Sequence, residues 1–220
     1  FVSRINWYVN DTATAADSYT YAGGSDTSYG DGTAAKPFRA IPLAMRFATA
    51  GDTIFIDAGF YDSFVRISST ETAGVNVDKD SITLIGKDSN ATVIDPPGLK
   101  TLSGLYAIYS DTQSGIVVKN LSVTGAWQGM YFYNLDNSTI TGDSASSCGN
   151  AGIYMDGGSE TNIINANTFS TNSNFGIVVS DRSSNNTVSN NTANSHGLFG
   201  IYLEAKSDRN TVSNNNTNSN

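Results

Sequence analysis

Gly129-Met-Tyr-Phe-Tyr133, Gly152-Ile-Tyr-Met-Asp156, Gly176-Ile-Val-Val-Ser180 and Gly200-Ile-Tyr-Leu-Glu204 open four successive units spaced 23, 24 and 24 residues apart. Each unit carries a second apolar beat: Asn137-Ser-Thr-Ile140, Thr161-Asn-Ile-Ile164, Asn186-Thr-Val188 and Asn210-Thr-Val212. A third, Asn-rich beat places Asn167, Asn191 and Asn215 at equal offsets from their glycines. Three short beats separated by Gly, Asn, Ser and Asp turns make one coil of a solenoid, in which stacked neighbours bury a core that no single unit could bury alone. Period-2 alternation makes the first beat a strand, with Ile153, Met155, Ile177, Val179, Ile201 and Leu203 pointing inward. Stacking brings equal offsets to about 4.8 Å, so the inward residues are expected to form aliphatic ladders and the Asn positions amide ladders inside turns. A leucine-rich repeat would need Leu-x-x-Leu-x-Leu beats, which are missing. The expected fold is all-β, a right-handed single-stranded parallel β-helix with an N-terminal capping helix.

The 220 residues suffice for one sizeable domain. We read a single β-helix domain over 1–220, with an N-terminal strand, loop and cap helix over 1–51, irregular coils over 52–128 and regular coils over 129–220. Only 15% of residues are charged and the net charge is −8. That balance argues against a nucleic-acid backbone or an anionic membrane surface as partner. It leaves a neutral polymer or a cationic ligand, and disfavours a polyanion unless a local basic patch or Ca²⁺ admits one. Low charge with abundant Ser, Thr, Asn and Gly points to a secreted or cell-surface protein, and seven Asn-x-Ser/Thr acceptors, Asn10 and Asn215 among them, permit glycosylation. Cys148 is the only cysteine, which excludes an internal disulfide and a cysteine metal cluster; a small buried residue is expected there. No window approaches about 18 apolar residues, so no membrane-spanning helix is expected. The opening residue is Phe1 rather than Met, which fits a processed or trimmed chain.

Before the regular coils, Ile5-Asn-Trp-Tyr-Val9 alternates like a strand and a long polar run follows to Ala35. Apolar residues at 41, 44, 45 and 48 fit a helix face, with Pro42 tolerable in its first turn. We expect residues 38–49 to cover the open end of the core as a cap. Trp7-Tyr-Val, Gly24-Ser-Asp, Gly30-Asp-Gly-Thr, Lys36-Pro-Phe, Ile41-x-x-Ala44, Ala50-Gly-Asp-Thr-Ile54 and Ala58-Gly-x-Tyr61 resemble the N-terminal cap of secreted pectate-lyase-like β-helix proteins. The likeness covers about residues 5–61 and implies the fold rather than an activity. The later repeats resemble those of carbohydrate-binding and sugar-hydrolase modules, including the copper-site maturation proteins of denitrifiers and archaeal surface proteins. Their Asn/Ser/Thr-rich style is similar to the disaggregatases, methanogen enzymes that cut a cell-envelope heteropolysaccharide. The coil from Gly200 runs to Asn220 with no capping helix, so continuation of the chain is expected, with a dimer through that end as the alternative.

Counting from each glycine places outward residues in columns. Two positions on stand Tyr131, Tyr154, Val178 and Tyr202; four on stand Tyr133, Asp156, Ser180 and Glu204; Asp181, Arg182 and Lys206 lie just beyond. Tyrosine rings stack on sugars and carboxylates accept sugar hydroxyls, so the stripe suits a polysaccharide laid along the axis. Tyr131, Tyr133, Tyr154, Arg182, Tyr202 and Lys206 are the candidate substrate-binding residues. Asp156 and Glu204 stand two coils apart, about 9.6 Å by backbone, which flexible side chains bring within the range of an inverting glycosidase. With Asp181 they are the candidate catalytic residues. The leading reading is a glycoside hydrolase acting on an envelope or extracellular heteropolysaccharide, with no cofactor and no metal site. A non-catalytic binding, adhesion or spacer module is the alternative. A uronan lyase or epimerase using Ca²⁺ is the third, although neither Tyr-Gly-x-Asp-Pro-His nor a polygalacturonase-type histidine motif is present. His196, the sole histidine, is expected as a solvated turn residue with a catalytic base as the alternative, and no histidine-built copper or zinc site is expected.

Overall fold

The computed structural model describes residues 5–26, 30–98, 100–204 and 206–220; Phe1 lies outside them. The chain winds through three sheets of eight, six and seven strands among these residues. Each regular coil before the last gives one strand to each sheet, as in Gln128–Tyr133, Thr139–Thr141 and Ser144–Ser146, and the last gives Phe199–Leu203 and Thr211–Ser213 to two of them. Met130 pairs with Ile153, Ile153 with Ile177 and Ile177 with Ile201, so the coil lengths are those of the glycine spacing. The winding is the right-handed parallel β-helix, the hand that twisted strands impose on parallel crossovers. The third beat, read from sequence as Asn-rich, contains a three-residue strand such as Thr168–Ser170 with one inward side chain, here Phe169.

Inside the three sheets runs a continuous cluster of buried apolar side chains from Val9 to Ala193. Its columns are the expected ladders: Leu84, Val118, Ile140, Ile164 and Val188 from one sheet, and Ile108, Met130, Ile153 and Ile177 from another. The unit glycines sit where this core meets a corner. A Cβ on Gly152 would come within 2.6 Å of Phe169 Cδ1 and 2.9 Å of Asn172 Nδ2, so no larger residue fits. In the last coil Leu203 and Val212 are exposed, beside a concavity lined also by Leu198 and Phe199.

Each regular coil turns three corners, and a left-handed residue ends each: Thr161, Ala166 and Thr171 in one coil, Asn185, Asn190 and Ser195 in the next, the first corner holding further left-handed residues, Gly157 and Gly158 in one coil and Asp181 and Arg182 in the next. The residue after each corner points inward and forms a ladder. Asn167 donates through Nδ2 to the Ile140 carbonyl (2.9 Å) and to Asn191 Oδ1 (3.0 Å), while its Oδ1 accepts the Asp143 N–H at 2.9 Å. Asn191 repeats this pattern against Ile164 and Asn215. A second column runs Asn162, Asn186 and Asn210. The third holds Cys148, Asn172, His196 and Asn220, and its rungs join through the Cys148 and His196 N–H groups, which donate to Asn172 and Asn220 Oδ1. Cys148 is buried as expected, and burial pushes its thiol up to about 12. Two acceptor asparagines, Asn10 and Asn215, spend their amides on such internal bonds.

His196 corrects the sequence reading. It is 5% exposed rather than solvated, and its Nδ1 accepts the Asn172 N–H at 3.3 Å as an asparagine oxygen would. Burial pulls its pKa down, which favours the neutral ring, and its hydrogen bonds to Asn172 and Asn220 make it a rung of the column. In the last coil the Arg209 guanidinium donates to Asn185 Oδ1 at 3.0 Å.

At the N-terminal end, the helix Ile41–Phe47 buries Ile41, Ala44 and Met45 and is followed by buried Ala48, the face that the apolar spacing predicts. Asp26 Oδ1 accepts the Arg39 and Ala40 N–H groups at 2.9 Å, just before the helix begins. Two buried carboxylates tie the N-terminal segment to the first coil. Asp52 accepts from the Ile5 and Thr49 N–H groups and from Trp7 Nε1. Asp57 accepts from three successive N–H groups, Ser18, Tyr19 and Thr20.

Asp143 heads one amide column in place of an asparagine. Its Oδ1 accepts the Leu121 N–H at 3.0 Å, but its Oδ2 is buried without a partner, and burial pushes the carboxyl up to about 8. The folded state thus holds a proton that the unfolded chain releases near its ordinary value of 3.8. The stability this proton carries is complete below that value and is lost as pH rises through about 8. Asp143→Asn is expected to raise stability at neutral pH by about 1–3 kcal/mol and to flatten this slope. Asn191→Ala should cost about 1–3 kcal/mol for each group it orphans. Denaturant unfolding across the pH range checks both.

Candidate functional site

The seven-stranded sheet carries the predicted columns outward. Tyr109, Tyr131, Tyr154, Val178 and Tyr202 are in register, and so are Asp111, Tyr133 and Asp156. Ser180 and Glu204 continue the second column just past their strands, where the Ser180 Oγ–H donates to Glu204 Oε2 at 2.9 Å. The structure therefore brings Tyr131, Tyr133, Tyr154, Asp156, Tyr202 and Glu204 onto one face.

The rings do not all lie the same way. Tyr106 and Tyr131 stack at 5.0 Å with planes 15° apart, and Tyr109 stacks on Tyr131 at 5.9 Å. Rings this close overlap rather than lie side by side, so Tyr131 spends its faces on its neighbours. Tyr133 is different. A Cβ built on Gly157, whose φ is +63°, would meet Tyr133 Cε2, Cδ2 and Cζ at 2.4, 2.6 and 2.6 Å, so the ring lies flat on that glycine. It is 41% exposed. Along the column it stands between Asp111 and Asp156, one coil away on either side.

Carboxylates take the tyrosine hydroxyls. Tyr131 Oη–H donates to Asp156 Oδ2 at 3.1 Å and Tyr106 Oη–H donates to Glu71 Oε1 at 3.1 Å. Asp156 Oδ1 also accepts the Gly157 N–H at 2.9 Å, which fixes both of its oxygens. Burial, and after it the nearby carboxylates, hold these phenols protonated: Tyr109 is pushed up to about 12, and Tyr106 and Tyr131 lie higher still. Farther along, Phe175, Phe199 and Tyr202 form a second stack with centroids 5.4–6.3 Å apart. Val178 between the two stacks is only 1% exposed although it points outward.

Asp181 and Arg182 are consecutive left-handed corner residues, with Arg182 Nε 3.3 Å from Asp181 Oδ1. Lys206 is an exposed left-handed residue at the following corner. The corner pair thus sits beside the face, and Asp181 is engaged by its own neighbour. Among the described residues no group of three or more His, Cys, Asp or Glu side chains is gathered to hold a metal ion, and no helix is long and apolar enough to cross a membrane.

Sequence counting missed Glu71, Tyr106, Tyr109, Asp111, Phe175 and Phe199. Tyr109 and Asp111 belong to the same columns one coil earlier, where Ala107 replaces the marker glycine and the coil is 22 residues long. Phe175 and Phe199 directly precede their glycines, a position that extends the outward face by one column.

A protein-family model described as "Right handed beta helix region" matches residues 62–217. Among solved structures, an alginate lyase from Paenibacillus sp. str. FPU-7 superposes with a TM-score of 0.56 at 16% identity, covering 80% of this chain and 72% of that one. The pectate lyase Pel9A does so with a TM-score of 0.53 at 16% identity, over 89% of this chain and 56% of its own. A rhamnogalacturonan lyase gives 0.52 at 13% identity, over 98% of this chain and 62% of its own. At these identities the likeness shows the fold. No curated protein sequence matches.

Gly157→Ala is expected to push the Tyr133 ring off its seat and to cost about 1–2 kcal/mol for the left-handed backbone. Thermal unfolding measures the cost, and a changed tyrosine near-ultraviolet dichroism that Tyr133→Phe does not reproduce in magnitude measures the displacement.

Proposed function

Because this chain belongs to the right-handed β-helix family, we propose that it binds a polysaccharide along the seven-stranded sheet and cleaves it with Asp156 and Glu204. The observation that carries this reading is Tyr133, a partly exposed ring seated on Gly157 and flanked by Asp111 and Asp156. An apolar sugar face stacks on such a ring while its hydroxyls donate to the carboxylates. Tyr154 and Tyr202 continue the contact along the axis, and Tyr131 holds Asp156 in place through its hydroxyl.

Each carboxylate is held by a hydroxyl from the preceding coil, Tyr131 for Asp156 and Ser180 for Glu204. They therefore keep a two-coil separation of about 9.6 Å, beside the upper end of the roughly 6.5–9.5 Å that leaves room for a water in inverting glycosidases. Glu204 is assigned the acid that protonates the leaving oxygen. Asp156, whose two oxygens already accept hydrogen bonds, is assigned the base that takes a proton from the attacking water. Asp181 is assigned to positioning Arg182 at the edge of the face, where Arg182 and Lys206 reach the polymer. The placement of the protein outside the cell or at its surface, where such polymers are met, is part of the proposal.

The three lyase structures favour a second reading, elimination from a uronan, which would leave unsaturated sugar ends. Incubation with a panel of neutral and acidic polysaccharides separates the readings. The proposal expects new reducing ends without ultraviolet-absorbing products, and a fall of about a hundredfold or more in Asp156→Asn and in Glu204→Gln. Absorbing products would select the lyase reading. Binding without any new ends, in wild type and variants alike, would leave a carbohydrate-binding module.

A further inference from the structure

The charge of the same face points to the class of polymer, an inference that rests on the polysaccharide reading. Apart from the edge strand Val65–Arg66, which carries the exposed Arg66, the strands of this sheet, Thr72–Asn76, Leu105–Asp111, Gln128–Tyr133, Ala151–Asp156, Phe175–Val179 and Phe199–Leu203, contain no lysine, arginine or histidine. They carry Asp111 and Asp156, and Glu204 follows the last of them directly. Beside the face, Arg182 is already paired with Asp181, and Lys206 stands at the next corner.

We infer that the polymer bound here carries no carboxylate or sulfate groups: the face is built for a neutral or amino-sugar glycan. A sugar resting on Tyr133 has a carboxylate on either side, each about 4.8 Å away along the column. Two like charges at that spacing repel by about thermal energy even in bulk water, and by more at a partly desolvated surface. A uronate or sulfate at this position would meet that repulsion in every occupied coil. Carboxylates have no hydrogen to give, so Asp111 and Asp156 can only accept, and sugar hydroxyls and ammonium groups are the donors that satisfy them. An ammonium group also gains from the tyrosine ring. This sets the chain apart from the alginate and pectate lyases whose coil geometry it shares.

Isothermal titration with neutral, amino-sugar and uronic oligosaccharides of equal length tests the inference, each run with chelator and again with calcium, in wild type and Tyr133→Ala. The expected result is binding of the neutral or amino-sugar oligomer at least about tenfold tighter than the uronic one, and its loss in Tyr133→Ala. Uronic oligomer bound equally well or better, with or without calcium, overturns the inference while leaving the polysaccharide reading standing. Amino-sugar binding that survives in Tyr133→Ala, with no neutral binding, also overturns it, because bulk charge alone would then explain the affinity. No binding of any oligomer overturns both readings.

Discussion

A coil that turns sharply on a left-handed residue leaves buried backbone groups that its own strands cannot satisfy, and the inward amide one residue later satisfies them. Asn167 shows the arrangement: its oxygen takes the N–H of the rung in the coil before it, and its nitrogen serves that coil's carbonyl at Ile140. An amide is the side chain that offers donor and acceptor at this reach. Three such columns pin every regular coil to its neighbours at three corners, so slippage by one residue would orphan buried polar groups as well as reverse the faces of each strand.

Everything on the outer face follows from that register. Tyr131 lies against Tyr154 and Tyr133 against Asp156 because Met130 lies against Ile153. The face therefore has its geometry before any ligand arrives, and the pairing of tyrosine hydroxyls with carboxylates stiffens it further. Preorganisation of this kind lowers the entropy cost of binding a long, flexible polymer. The flat seat of Tyr133 depends on a local exception, since only a residue without a Cβ fits at Gly157 beneath the ring.

The repeat, its strands and the amide columns were legible because each writes the same residue type at the same offset. The exposed columns were legible for the same reason, and only in coils that begin with glycine. Where a coil keeps the geometry but changes the residue, counting fails. His196 and Asp143 occupy amide positions without being amides, and Ala107 stands where later coils have glycine. The third-beat strands are too short for alternation to register, with a single inward side chain such as Ala145 or Ala193. Tyr133 on Gly157 is a contact between different offsets in adjacent coils, which no column contains.

Amide chemical-shift mapping of isotope-labelled protein with a neutral oligosaccharide tests the central claim most directly, because it reads which sheet the sugar meets. The account predicts shifts concentrated on Gln128–Tyr133, Ala151–Asp156 and the Gly157 amide, weakening toward Phe199–Leu203. Shifts centred on the eight-stranded or six-stranded sheet, or none at saturating sugar, would contradict it.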